Sequence, residues 1–126
     1  MSTMKLDDLV ARALQSKQDK HQVVFLKIDD EGNMLQANKK DLKTVTRILD
    51  MQQDSMQENM NASMMLIYEH CDLLKNKELH QVYGCTEPFD VVEKVFDANI
   101  ARIGEATEDI LKMYGLTDDM MDILKN

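Results

Sequence analysis

Between Met56 and Leu74, the residues Met56, Met60, Met64, Ile67, Cys71 and Leu74 follow one another at intervals of 4, 4, 3, 4 and 3. That spacing brings side chains onto one face of an α-helix, whereas a half-buried strand would alternate at every second residue. Ser55 and Glu58 stand ahead of the stripe as N-cap and N3 of a capping box. At residues 64–68, MMLIY, every side of the helix is apolar, so this half is expected at the centre of the domain. Around Met56 and Met60 the helix is polar, with Gln57, Glu58, Asn59 and Asn61. These two methionines therefore have two readings, core packing or a partly exposed groove. Methionine serves both, because its flexible thioether fills irregular gaps and adapts to varied partners.

Little else in the chain opposes helix. Its 126 residues hold one Pro and four Gly, and 44% are hydrophobic, enough for one folded domain. Residues 3–17 read as an amphipathic helix through Met4, Leu6, Leu9, Val10, Ala13 and Leu14, with Ser2 or Thr3 as cap. After the polar run SKQDKH, Val23, Val24, Phe25 and Ile28 form a strand, Asp30–Asn33 a turn and Met34–Ala37 the return strand. A lone hairpin is marginal in water, so it must cap the helical core or offer its edges to another chain.

Leu42, Val45, Ile48, Leu49 and Met51 fit a helix capped by Asp41, and Asn76 caps a short one holding Leu79, Val82 and Tyr83, closed by Gly84. Thr86, Glu87 and Pro88 predict the start of a helix carrying Phe89, Val92, Val95, Phe96 and Ile100. A further segment through Ile103, Ile110, Leu111, Met113 and Tyr114 stops at Gly115 with Leu116 beyond. Thr117 then caps a last helix with Met120, Met121, Ile123 and Leu124 on its apolar face. The expected fold is mainly α, a small domain of five to six helices with one β-hairpin after the first. Residues 1–40 form an N-terminal helix and hairpin, residues 41–126 a helical core, in one compact unit.

The formal charge is −8, with −2 on residues 1–85 and −6 on residues 86–126. An acidic C-terminal third repels phosphate, so neither nucleic acid nor an anionic membrane is an expected partner. No secretory leader and no apolar run near the ~20 residues of a membrane span is present, which predicts a cytoplasmic protein with Cys71 and Cys85 reduced. His70, Cys71, His80 and Cys85 lack metal-ligand spacing and read as a buried thiol with surface histidines. No phosphate loop, nucleophile elbow or zinc-protease motif is present. No enzyme activity, metal or cofactor is expected.

The order of motifs in residues 66–97, LIYEHCDLLKNKELHQVYGCTEPFDVVEKVFD, is more specific. The LIY helix, the L-x-N-K-E-L step, the Tyr–x–Cys turn, E-P-x-D-V-V and the K-V-F helix resemble the XkdN-like tail assembly chaperones of phages and prophages of Gram-positive bacteria. The N-terminal helix, charged linker and hairpin, and YGL at residues 114–116, are also similar, while residues 97–110 depart from the family's pattern.

The resemblance implies a non-enzymatic factor of the host cytoplasm, absent from the mature virion. It implies binding to the tape measure protein, with tail tube protein as a second partner that displaces the chaperone while polymerising. Met56, Met60, Met120, Met121 and Leu124 are the candidate partner-binding residues, and self-association is open. The alternatives are a virion structural component, such as a head–tail connector, and an acidic mimic of DNA.

Overall fold

A computed structural model describes residues 3–18, 22–51 and 55–116. Among these the fold is mainly α, six α-helices with one two-stranded antiparallel hairpin after the first. Helix α1 (Leu6–Gln18) precedes strands β1 (Val23–Lys27) and β2 (Met34–Asn38). Helices α2 (Leu42–Leu49) and α3 (Met56–His70) lead into a 3-10 turn (Asp72–Lys75), then α4 (Lys77–Tyr83), α5 (Asp90–Val95) and α6 (Ile100–Lys112).

Helix α3 is the spine. Ala62, Met64, Leu66 and Ile67 are buried on it, and it packs against α2, α5 and α6. Ser55 caps it as its sequence demands, Oγ accepting from the Glu58 N–H at 3.4 Å. The helix stops at His70, short of the end of the apolar stripe. Cys71 is extended (φ −111, ψ 93), and the 3-10 turn then brings Leu74 inward. Cys71 and Leu74 are both buried, so the stripe runs over two elements instead of one helix.

The hairpin pairs Leu26 with Leu35 and Val24 with Ala37. Leu26, Leu35 and Ala37 are buried, while Phe25 and Met34 point to the exposed face. The inner face shares one core with α2, α3, α5 and α6, which gives the two strands the support they lack alone. Packing therefore does not part the hairpin from the helices after residue 40. At the hairpin turn the Asp29 carboxylate accepts from the Glu31 and Asn33 backbone N–H groups and from Asn33 Nδ2. The Asn33 side-chain bond is the main cause holding that carboxyl below its ordinary pKa.

The expectation of one helix from Thr86 through Ile100 is overturned at both ends. The N–H groups of Asp90, Val91 and Val92 reach back three residues, to Glu87, Pro88 and Phe89, so tight turns come first. Helix α5 begins only at Asp90 and has no side-chain cap, while the Asp90 carboxylate accepts from the Glu87 N–H at 2.9 Å. At the other end Asp97 and Ala98 take positive φ (54 and 56), and Asn99 caps a new helix by accepting from the Arg102 N–H. Ile100 is consequently an exposed residue in the first turn of α6. Helix α1 also starts later than residue 3, at Leu6, where the Asp8 carboxylate accepts from the Lys5 N–H.

Gly84 and Gly115 end α4 and α6 as their sequence positions predict. Both are left-handed (φ 66 and 82), and the following N–H, of Cys85 or Leu116, reaches the carbonyl of His80 or Leu111. This is the Schellman stop, open to glycine because it has no Cβ to clash.

Candidate interaction surface

The structure separates Met56 from Met60. Met56, in the first turn of α3, is 80% exposed; Met60, one turn on, is half-buried and packs against the core. Met64 is buried. Met120, Met121 and Leu124 lie outside the described residues, as do Ile123 and Thr117.

A second apolar surface lies on α4. Leu73, Asn76, Glu78, Leu79, Val82 and Tyr83 line an open groove of about 450 Å³. Leu73 is 68% and Val82 77% exposed, and no residue of α4 is fully buried. Seven residues make only two turns, too few to form by propensity alone. The helix is held by its neighbours instead. Asn76 Oδ1 accepts from the Glu78 and Leu79 N–H groups (2.9 and 3.2 Å). His80 Nε2 donates to the Leu74 carbonyl at 2.6 Å, with its ring tilted against Tyr68. With its backbone held from one side and Leu79 against the core, α4 presents Val82 and Tyr83 outward.

The groove's inner end abuts a polar knot. Asp72 accepts from Lys40 Nζ (2.9 Å) and Asn38 Nδ2 (3.2 Å), and the Lys40 bond chiefly holds its carboxyl below the ordinary value. Behind it lies His70, expected at the surface and found fully buried. Its Nδ1 donates to the Leu66 carbonyl at 2.7 Å, and Nε2 lies 2.7 Å from the Tyr114 hydroxyl. The correction follows from helix geometry: His70 ends α3, and Tyr114, just beyond α6, folds over it and covers the ring. Burial pushes the His70 pKa down and the Cys71 thiol up to about 12. Such a thiol is a packing residue, because only the thiolate is a good nucleophile or ligand.

Sequence spacing pointed to the Met56 end and missed the groove. Leu73 falls off the stripe, between Cys71 and Leu74, and Leu79, Val82 and Tyr83 read as ordinary helix-face residues. The one available signal was the shortness of a helix bounded by Asn76 and Gly84.

Among the described residues no group of three or more His, Cys, Asp or Glu is placed to hold a metal ion, and no helix is long and apolar enough to cross a membrane. No family model, curated protein or solved structure matches the chain.

Proposed function

We propose that this protein is a phage tail assembly chaperone. It binds the tape measure protein, keeps that long helical polypeptide soluble and extended, and is displaced as tail tube protein polymerises around it. The observation that carries the reading is the groove itself. Leu73, Val82 and Tyr83 stand open to solvent, with Leu79 half-buried between them and the core, inside residues 66–97, the segment whose motifs resemble the XkdN-like chaperones.

An open apolar groove takes the apolar face of a helix with little sequence discrimination, as a client of many successive helical segments requires. Met56 adds a second open contact of an adaptable kind. The net charge of −8 keeps partly coated complexes apart in the host cytoplasm.

Co-expression with a phage tape measure protein should yield a soluble complex that co-purifies, and Val82→Glu should weaken the capture. Two proteins that never co-purify under gentle conditions would end the proposal. Finding the chain in purified virions by mass spectrometry would favour a structural component instead.

A further inference from the structure

Helices α2 and α6 each bury one side against α3 and leave another side exposed. At 100° per residue, Lys43, Arg47 and Asp50 fall within about 60° on α2, and Glu105, Glu108 and Lys112 within about 60° on α6. All of these are exposed except Glu108, which is half-buried. Asp41, Lys43, Arg47, Asp50 and Glu105 form no ion pair among the described residues, and the Asp41 carboxylate makes no cap bond. Glu108 and Lys112 already interact within their own chain, in contacts that side chains near the surface exchange at little cost. Burial chiefly raises the pKa of the neighbouring Asp109; Lys112 opposes this, while Glu105 and Glu108 add to it. This side of α6 is short of cations.

The two charge patterns match when the helices run antiparallel. With Arg47 set against Glu105, Lys43 falls beside Glu108 and Asp109, since the steps on both helices cover about 5–6 Å. Lys112 then reaches the N-terminal end of α2, beside Asp41. The other cations at that end are engaged, Lys40 with Asp72 and Lys39 over the Tyr114 ring. Asp50 meets Ala101, next to Arg102, which pairs with Asp30.

Gly104 opens the way for close approach. It stands exposed inside α6, where glycine is destabilising relative to alanine, yet a Cβ added to it would meet nothing within 4 Å. Its own fold does not require it. Opposite Arg47 it admits a second helix, with Ala101 and Thr46 also small at the contact.

We infer that a second copy of this chain lays its α2 antiparallel along α6, with Arg47 against Glu105 and Lys43 against Glu108 across Gly104. A second copy is the fitting occupant because one chain carries both halves of the charge pattern. The contact uses no residue of the α4 groove and does not depend on the chaperone reading.

Sedimentation velocity of the full chain at about 0.15 M salt tests it. Association that rises with concentration is expected. Arg47→Glu and Glu105→Arg should each weaken it by at least about tenfold, the effect of setting like charges face to face. Both changes in one chain should recover it. Lys94→Glu changes the net charge as Arg47→Glu does, but on α5, and should leave association as it was. Gly104→Gln should keep or raise the thermal melting point and still weaken association, which separates the contact from folding. A chain monomeric at every concentration overturns the inference. Association that survives Arg47→Glu, or that the paired change fails to recover, overturns it too. Neither result touches capture of the tape measure protein, which is read by co-purification.

Discussion

The Tyr114 hydroxyl sits 2.7 Å from His70 Nε2 and 2.8 Å from the Lys40 backbone N, so one oxygen ties the end of α3 to the end of α6 and to the link between β2 and α2. The proton count is determined by the acceptors. A carbonyl can only accept, so His70 Nδ1 carries the proton toward Leu66, and a neutral ring leaves Nε2 to receive the tyrosine's. The Lys40 N–H donates to the same hydroxyl, and the Lys40 carbonyl at 3.1 Å is the other acceptor within its reach. Tyr114→Phe strips a partner from each of these groups while keeping the ring's packing. It should lower stability by about 1–3 kcal/mol in urea unfolding, the cost of leaving buried polar groups unmatched. A loss under about 0.5 kcal/mol would show that water takes over the hydroxyl's role.

The same ring sets an acid limb of stability. Burial is the chief cause of the lowered His70 pKa; Lys40 and Lys75 add to it, while the Leu66 bond and Glu69 oppose it. The unfolded chain, with the ordinary value near 6.5, takes up its proton first as pH falls. Stability should therefore decline as pH falls below 6.5, before the carboxylates titrate, and be level from there up to about pH 9, where the thiol of Cys71 begins to ionise in the unfolded chain first. His70→Gln should flatten this limb in urea midpoints measured across the range. Equal slopes in both proteins would place the proton uptake elsewhere.

Asp97 and Ala98 form a left-handed corner between α5 and α6. For alanine that conformation carries strain of roughly 1–2 kcal/mol, partly offset on replacement by glycine's greater freedom when unfolded. Ala98→Gly should raise stability by about 0.5–1 kcal/mol. Asp97→Gly should give less, because aspartate tolerates this region better. Thermal melting of the two variants side by side checks the order.

Met56 and Met60 offer a paired comparison on one helix. Met56→Asp alters an exposed side chain and should change stability by no more than about 0.5 kcal/mol. Met60→Asp puts a charge where a side chain packs against the core and should cost about 1–3 kcal/mol. Similar melting curves for both would mean that the start of α3 peels away from the core in solution.

Thiol labelling should divide the two cysteines. Cys71 is buried, with its pKa pushed up to about 12, whereas Cys85 is partly exposed. Native protein should react rapidly at Cys85 alone, and denaturant should release Cys71. Early modification of Cys71, located by peptide mass, would reveal local opening at the end of α3.

Much of this fold was written in local spacing. The Ser55 cap, the Asn76 cap, the Gly84 and Gly115 stops and the two strands of the hairpin all rest on neighbours a few residues away, and the sequence shows them. His70 was not legible, because its burial depends on Tyr114, which lies 44 positions on. The break after Phe96 was hidden for a similar reason: Ile100 continues the helical spacing, yet the chain turns at Asp97–Ala98. Of the candidate surface, apolar periodicity located Met56 but not the groove. Spacing tells which residues share a face and is silent about what that face meets.

Helix α6 holds the hairpin at both ends. Arg102 in its first turn pairs with Asp30 and donates to the Asp29 carbonyl at the hairpin tip, while Tyr114 beyond its last turn grips Lys40 at the base. These contacts span 72 to 74 positions of chain. On the ribosome the hairpin is therefore made early and completed late: Leu26, Leu35 and Ala37 lack part of their cover until α6 emerges. A nascent chain arrested before Ile100 would carry an unfinished apolar sheet, open to any strand that finds it.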